Sequence, residues 1–216
     1  MRKKLYIGLS FILAFVVWTL AVSFIDIQAI GPRASSVGFA TINKFVHQTF
    51  GVNMTLYHIT DWLGLIPIVF MLGFALLGLV QWIKRKKLSQ VDKNLFVLGA
   101  FYILVLLIYI LFEFIVINRR PILIDDILEA SYPSSTTMLV MTVMPTAIMQ
   151  LNSRIKNIKL KKCTNIIICM FIIFMVVGRL VSGVHWFSDI IGGALISTGL
   201  VLLYNYFVKI QIKKHI

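Results

Sequence analysis

The chain has 216 residues, of which 59% are hydrophobic and 13% charged, and its formal net charge is +13. A soluble domain carries about a quarter charged residues, so this composition excludes a water-soluble protein built around one core. Nucleic-acid binding would need a basic face on a soluble body, whereas here the basic residues fall in short clusters between apolar runs. We therefore expect an integral membrane protein surrounded by membrane lipids, with no nucleic-acid partner.

Six apolar stretches predict membrane-spanning helices, since a helix needs roughly 20 residues to cross the hydrocarbon core. In chain order they are Leu5–Ile25, Trp62–Ile83, Leu95–Ile117, Ser134–Leu151, Ile166–Leu180 and Ile190–Val208. The fourth is short and contains Pro145, which predicts a kink. The first has too long an apolar run for a signal peptide, so we expect it to remain in the protein as a span.

The positions of lysine and arginine predict the orientation of these spans. Sixteen of the 21 basic residues lie at the two termini and in the loops after the second and fourth spans, including the C-terminal Lys209, Lys213 and Lys214. Because basic residues concentrate in cytoplasmic loops, both termini are predicted to be cytoplasmic. The richness in Ile, Lys and Asn favours a multi-pass protein of a bacterial plasma membrane.

The long first outer loop, from about Asp26 to Asp61, contains a different pattern. Apolar residues recur there at helical spacing: Phe39, Ile42, Phe45, Val46 and Phe50. With Lys44 and His47 interleaved, this pattern predicts an amphipathic helix in the membrane interface, acting as a cap over the bundle or as a lid that senses lipid. The predicted fold class is all-α, a six-transmembrane-helix bundle with an interfacial helix between spans 1 and 2.

Polar residues gather at the outer ends of the spans, where their cost in a membrane calls for a function. Asn118–Pro121 closes the third span, Tyr132–Thr137 opens the fourth, and Gly178–Asp189 joins the fifth to the sixth. All three groups fall on the outer, non-cytoplasmic side of the predicted topology. We therefore expect them to meet there.

The residue types in these groups suit phosphate chemistry. Arg120 and Arg179 supply forked donors that match phosphate oxygens. Free backbone N–H groups and hydroxyls at the start of the fourth span form an anion site at Ser134, Ser135 and Thr136. His185 and Asp189 are four residues apart, so on a helix they share a face and can hydrogen-bond, which leaves the other imidazole nitrogen free to attack or to accept a proton. Together these residues indicate phosphoryl transfer from a lipid phosphate.

The spacing of these residues resembles the signatures of the phosphatidic acid phosphatase type 2 superfamily. Arg179, His185 and Asp189 match its third signature, Ser-Arg-x5-His-x3-Asp. Arg120-Pro121 is similar to the end of the first signature, Lys-x6-Arg-Pro, and Pro133-Ser134 to the start of the second, Pro-Ser-Gly-His. The order of the signatures and the six spans also fit, so the resemblance covers nearly the whole chain.

The resemblance implies a single membrane-embedded phosphatase-like domain over residues 1–216, working without a metal or another cofactor. By position, His185 would be the nucleophile that forms a phosphohistidine, and Asp189 would orient it. Arg120 and Arg179 would hold the phosphate, and further oxygens would be cradled by Ser134, Ser135 and Thr136. We expect a hydrolase of phosphoric esters or diphosphates that acts on a lipid at the outer face.

Three positions depart from the signatures: Glu113 replaces the lysine, Gly178 the leading serine, and Thr136 the acid histidine. Losing a general acid costs on the order of 10²–10⁴ in rate. Hydrolysis of a polyprenyl diphosphate tolerates the loss of the acid histidine, because a phosphate leaving group needs less protonation than an alkoxide. Alternatively, Glu113 is the replacement acid, kept neutral by burial at the span end. A third possibility is a catalytically impaired lipid-phosphate binding or transport protein.

Overall fold

The structure is a computed structural model that describes the backbone of residues 2–213 and the side chains of residues 2–210. Lys214, used above to predict orientation, lies outside the described residues, as does the side chain of Lys213. Within the described chain the regular structure is helical, which confirms the all-α prediction. Its α-helices are α1 Arg2–Phe24, α2 Ala40–Phe50, α3 Met54–Leu63, α4 Leu65–Arg85, α5 Lys93–Phe114, α6 Ser135–Arg154, α7 Ile158–Val181 and α8 Phe187–Lys213.

Five stretches of the described residues are long and apolar enough to cross a membrane: α1, the consecutive pair α3 and α4, α5, α7 and α8. Large apolar side chains on these helices point away from the bundle, with Leu13 65%, Leu72 64% and Phe114 82% exposed. Such exposure is unfavourable in water and expected where lipid is the solvent. The chain is a multi-pass membrane protein.

Helix α6 differs from the other long helices because polar residues recur along it. It packs against α4, α5, α7 and α8, and its Thr142, Thr146 and Gln150 are all buried. The amide of Gln150 donates to the hydroxyl of Tyr204 at 2.7 Å. A kink was predicted at Pro145. This residue lies inside α6, which continues through it as one element. It lies at the centre of the bundle, where its neighbours are protein side chains and its composition can therefore be mixed.

Helix α7 begins eight residues earlier than the apolar pattern predicted, at Ile158 in place of Ile166. The side chain of Asn157 accepts the backbone N–H groups of Lys159 at 2.9 Å and Leu160 at 3.2 Å. This N-cap satisfies two donors that would otherwise be free. Three of the basic residues that the sequence placed in this loop, Lys159, Lys161 and Lys162, therefore lie in the first turns of the helix.

The first outer segment contains two helices where the sequence predicted one. Helix α2 coincides with the predicted amphipathic helix: Ile42 and Phe45 are exposed, whereas Asn43 is fully buried. Helix α3 was not predicted and packs against α7. It begins where the side chain of Asn53 accepts the N–H of Leu56 at 2.9 Å.

Candidate functional site

The segment between α5 and α6 folds back on itself as a hairpin. The N–H of Arg120 donates to the carbonyl of Glu129 at 3.1 Å, and the N–H of Ser131 donates to the carbonyl of Asn118 at 2.9 Å. This pairing fixes the direction of the Arg120 side chain. The hairpin brings Arg120 beside His185, which lies just before α8.

The imidazole of His185 is 1% exposed and has a contact on each ring nitrogen. Its Nε2 lies 3.4 Å from Nη1 of Arg120, and its Nδ1 lies 3.2 Å from the carbonyl oxygen of Ser131. Because a guanidinium only donates and a carbonyl only accepts, the contacts fit the tautomer with hydrogen on Nδ1. Burial, then the charges of Arg120 and Arg179, lower the pKa of His185 well below its usual value of 6.5. The imidazole is neutral at neutral pH, with its lone pair on Nε2.

Asp189 is fully buried in the first turn of α8. Its Oδ2 lies 3.8 Å from Nδ1 of His185, which is too long for the hydrogen bond predicted between them. The carboxylate instead accepts from Nδ2 of Asn118 at 3.1 Å and from the backbone N–H of Trp186 at 3.0 Å. It is close enough to stabilise positive charge that develops on the imidazole.

Each of the two predicted phosphate-binding arginines is paired with a carboxylate. Nε of Arg120 lies 2.7 Å from Oε2 of Glu129, and Nη2 of Arg179 lies 3.1 Å from Oδ1 of Asp61. Arg179 is 2% exposed, and its Nη1 also donates to the hydroxyl of Thr60 at 3.3 Å. The sequence predicted neither pair: Glu129 was expected to be solvated or to pair with Arg119, and Asp61 was not considered. The only indication of these pairs was the general rule that a buried guanidinium requires a partner of opposite charge.

A cavity of about 290 Å³ opens beside these groups. Arg120, His185, Glu113, Glu129 and Ser135 all line it. Glu113 is exposed, so the burial expected of a replacement acid is not found, although the residue does line the cavity. The cavity is therefore lined by the neutral His185, by Arg120 with its guanidinium, and by two acidic residues, Glu113 and Glu129.

The three residues predicted to cradle phosphate at the start of α6 have different surroundings. Ser135 lines the cavity. Ser134 is fully buried, and its hydroxyl accepts the N–H of Thr137 at 3.5 Å, as a helix cap does. Thr136 lines a neighbouring groove and not the cavity. Only one of the three therefore faces the space next to His185.

That neighbouring space, which we call the apolar groove, has a volume of about 440 Å³. It is lined by residues of α4, α5 and α6 that include Leu65, Ile68, Met71, Leu72, Leu106 and Leu139. It shares Tyr109 and Ser135 with the cavity that contains His185. The polar cavity and the apolar groove are therefore neighbours, with Tyr109 and Ser135 lining both.

Comparison with known proteins identifies the family. The profile of the PAP2 superfamily matches residues 97–213, more than half of the chain. The fold is similar to that of a solved structure described as the first transmembrane PAP2 type phosphatidylglycerolphosphate phosphatase from Bacillus subtilis. The two chains are 20% identical with a TM-score of 0.61, and the match covers 94% of this chain and 96% of that one. No curated protein sequence matches the chain. The resemblance predicted from the signatures is therefore confirmed, and the chain belongs to the PAP2 superfamily.

Proposed function

We propose that the chain is a membrane phosphatase that removes phosphate from a lipid phosphate or diphosphate, with His185 as its nucleophile. The observation that carries this proposal is the pair of contacts on the imidazole. Nδ1 is directed at the carbonyl of Ser131, and Nε2 lies 3.4 Å from Arg120 in the cavity. A neutral imidazole with its lone pair beside a phosphate-binding guanidinium is prepared for attack on phosphorus.

The reaction proceeds in two steps. Nε2 of His185 attacks phosphorus, the bond from phosphorus to the leaving oxygen breaks, and a phosphohistidine forms. Nδ1–H remains on the carbonyl of Ser131, and Asp189 stabilises the charged ring. Arg120 and Arg179 bind the phosphate oxygens in place of their carboxylates. Water then attacks the phosphohistidine and releases inorganic phosphate, with a proton passing to solvent and the imidazole again neutral.

The start of α6 contributes backbone donors to this site. First-turn N–H groups of a helix have no intrahelical partners and bind phosphate oxygens. Those at Ser135 and Thr136 cradle the phosphate, although Thr136 itself lines the neighbouring groove, and the cap formed by Ser134 holds the turn in place. The hydroxyl of Ser135 is directly available from the cavity wall.

The apolar groove supports a lipid substrate. A hydrocarbon chain in the groove would place its headgroup beside Tyr109 and Ser135, where the groove meets the cavity. A polyprenyl diphosphate is favoured, because its phosphate leaving group needs little protonation and Thr136 supplies no acid. For a monoester, Glu113 on the cavity wall is the proton donor.

The arrangement of the chain in the membrane is inferred from the lengths, neighbours and exposed residues of its helices. We infer that α6 is also a span, the fourth in chain order, which brings the number of spans to six; its 20 residues and the four helices around it support this. Helix α2 lies in the interface, supported by exposed Ile42 and Phe45. Residues 1–216 form one domain in a bacterial plasma membrane, with both termini cytoplasmic and the cavity extracytoplasmic.

A second function is favoured by one specific observation. Both arginines are already paired with carboxylates, and Thr136 stands in place of an acid. A protein with this site could bind or transport a lipid phosphate without turnover. This alternative predicts binding in the absence of phosphate release.

Phosphate release from purified protein distinguishes the two functions. We expect release from a polyprenyl diphosphate to exceed release from phosphatidic acid, and we expect His185→Ala to abolish both. His58→Ala is the matched control, because His58 is exposed on α3. Lipid binding is measured in the same samples. Binding without release supports the alternative, and full activity in His185→Ala excludes the proposed nucleophile.

A further inference from the structure

The first turn of α8 carries Asp189, and its backbone donors are satisfied in an unusual way. The helix begins at Phe187, so the N–H of Ser188 has no partner within the helix, whereas the N–H of Asp189 donates to the carbonyl of Trp186 at 3.1 Å. Asp189 reaches back to the N–H of Trp186 at 3.0 Å, as the acidic residue of a capping box does. The N–H of Ser188 donates at 3.0 Å to Oδ1 of Asn43, a residue of α2 that lies 145 positions earlier in the chain. Helix α8 is therefore capped from another helix.

The side chain of Asn43 is fully buried and fully hydrogen-bonded. Besides accepting from Ser188, it donates through Nδ2 to the hydroxyl of Ser188 at 2.9 Å and to the carbonyl of Gly38 at 2.7 Å. A buried amide is costly unless its donors and acceptor are paired, so these bonds hold Asn43 in one orientation. Asn43 thus ties α2 to the start of α8.

A second asparagine links this contact to the carboxylate next to the nucleophile. Nδ2 of Asn118 lies 3.1 Å from the hydroxyl of Ser188 and 3.1 Å from Oδ1 of Asp189. Oδ1 of Asn118 accepts the N–H of Gly38 at 3.1 Å. Asn43, Asn118, Ser188 and Asp189 are each at most 1% exposed. They form one buried polar network that runs from α2 to the carboxylate beside His185.

We propose that Asn43 is a positioning residue for His185 and Asp189, acting by capping α8 from α2. The inference rests on the proposed function, because it concerns the same nucleophile. Helix α2 touches no reacting atom in this scheme, yet it fixes the turn from which Asp189 projects. Without Asn43 that turn loses its external cap, and the carboxylate and imidazole shift relative to Arg120.

The test uses purified full-length protein and separates kcat from KM. For Asn43→Ala we expect kcat to fall about tenfold to 100-fold with KM within about twofold, because displacing a reacting group by about 1 Å costs rate and leaves lipid contacts intact. Asn157→Ala is the control. It removes the side-chain cap at the start of α7. The stability lost with this cap should be similar, but kcat and KM should both stay unchanged.

The outcomes separate this inference from the proposed function. An active wild type with an unchanged kcat in Asn43→Ala overturns the inference alone, as does a loss expressed only in KM. A wild type that releases no phosphate from any lipid overturns the proposed function, and this inference with it. If Asn43→Ala does not yield folded protein, Asn118→Ala carries the test, with the same fall in kcat expected and an unchanged kcat overturning the proposal.

Discussion

The carboxylate of Asp61 lies 3.1 Å from Nη2 of Arg179, so the more buried of the two arginines proposed to bind phosphate already has an anionic partner. The two sides of this ion pair differ in exposure, since the side chain of Arg179 is 2% exposed and that of Asp61 is 55% exposed. The arginine is therefore held by its surroundings, whereas the aspartate is free to move into solvent. A substrate phosphate must displace Asp61 to use Nη2.

Removal of the Asp61 charge should strengthen substrate binding. In Asp61→Asn we expect KM for a lipid phosphate to fall about threefold to fivefold, the upper part of the range for an ion pair with an exposed partner. The amide keeps an oxygen for Arg179, so the arginine remains supported. KM is measured from initial rates of phosphate release at low ionic strength. Asp125→Asn, at an exposed loop position with φ of 48°, is the control, and a raised KM in Asp61→Asn would contradict competition at Arg179.

The glycine at position 178 has a structural reason in this chain. A Cβ added there would lie 2.8 Å from Cγ2 of Thr60, so a side chain at 178 would require Thr60 on α3 to shift. The hydroxyl of the same threonine accepts from Nη1 of Arg179 at 3.3 Å. Glycine in place of the leading serine of the third signature therefore leaves room for Thr60 of α3, and the hydroxyl of that residue supports Arg179.

Restoration of the signature serine should destabilise the protein. Gly178→Ser introduces overpacking that costs about 1–3 kcal/mol, and the thermal unfolding midpoint in detergent should fall accordingly. Thr60→Ser removes the Cγ2 methyl and keeps the hydroxyl, so the double variant should recover most of the loss. A double-mutant cycle on unfolding measures this coupling. Additive effects of the two substitutions would show that the contact does not limit the packing.

Local spacing explains what the sequence could predict of the site. Arg179, His185 and Asp189 lie within eleven positions of one another in the printed sequence, and the predicted topology placed Arg120 on the same side. The structure does bring His185 within 3.4 Å of Arg120. These residues could be found because their pattern is short and the orientation rule assigns whole loops to one side.

The residues that were missed act across long separations in the chain. Asp61 meets Arg179 over 118 positions, and Asn43 meets Ser188 over 145 positions. Neither pair leaves a periodic or local pattern in the sequence, because each depends on how two helices are packed. The same reason applies to the hydrogen bond predicted between His185 and Asp189, since backbone geometry directs Nδ1 to a carbonyl of the hairpin.

The pH dependence of kcat/KM should reflect the low pKa of His185. Its lone pair attacks only when the ring is neutral, and burial together with Arg120 and Arg179 holds the pKa well below 6.5. Protonation therefore requires a pH below that value, and kcat/KM should stay constant as the pH falls through 6.5. Initial rates across this range test the expectation, because kcat/KM reports the free enzyme. Phosphate groups themselves ionise near a pH of about 6, so the substrate is titrated separately. A decline centred at 6.5 would contradict a shifted His185.

The two explanations for the missing acid histidine make opposite predictions for Glu113. If its carboxyl group protonates the leaving oxygen, Glu113→Gln should lower kcat for phosphatidic acid by about 100-fold or more, the typical contribution of a general acid. It should change kcat for a polyprenyl diphosphate little, because that leaving group is a phosphate. Glu129→Gln is a useful comparison, since Glu129 lines the same cavity but pairs with Arg120. Glu129→Gln should alter KM more than kcat. Equal losses on both lipids in Glu113→Gln would assign Glu113 to the binding of phosphate and not to proton transfer, and no loss on either would remove it from the site.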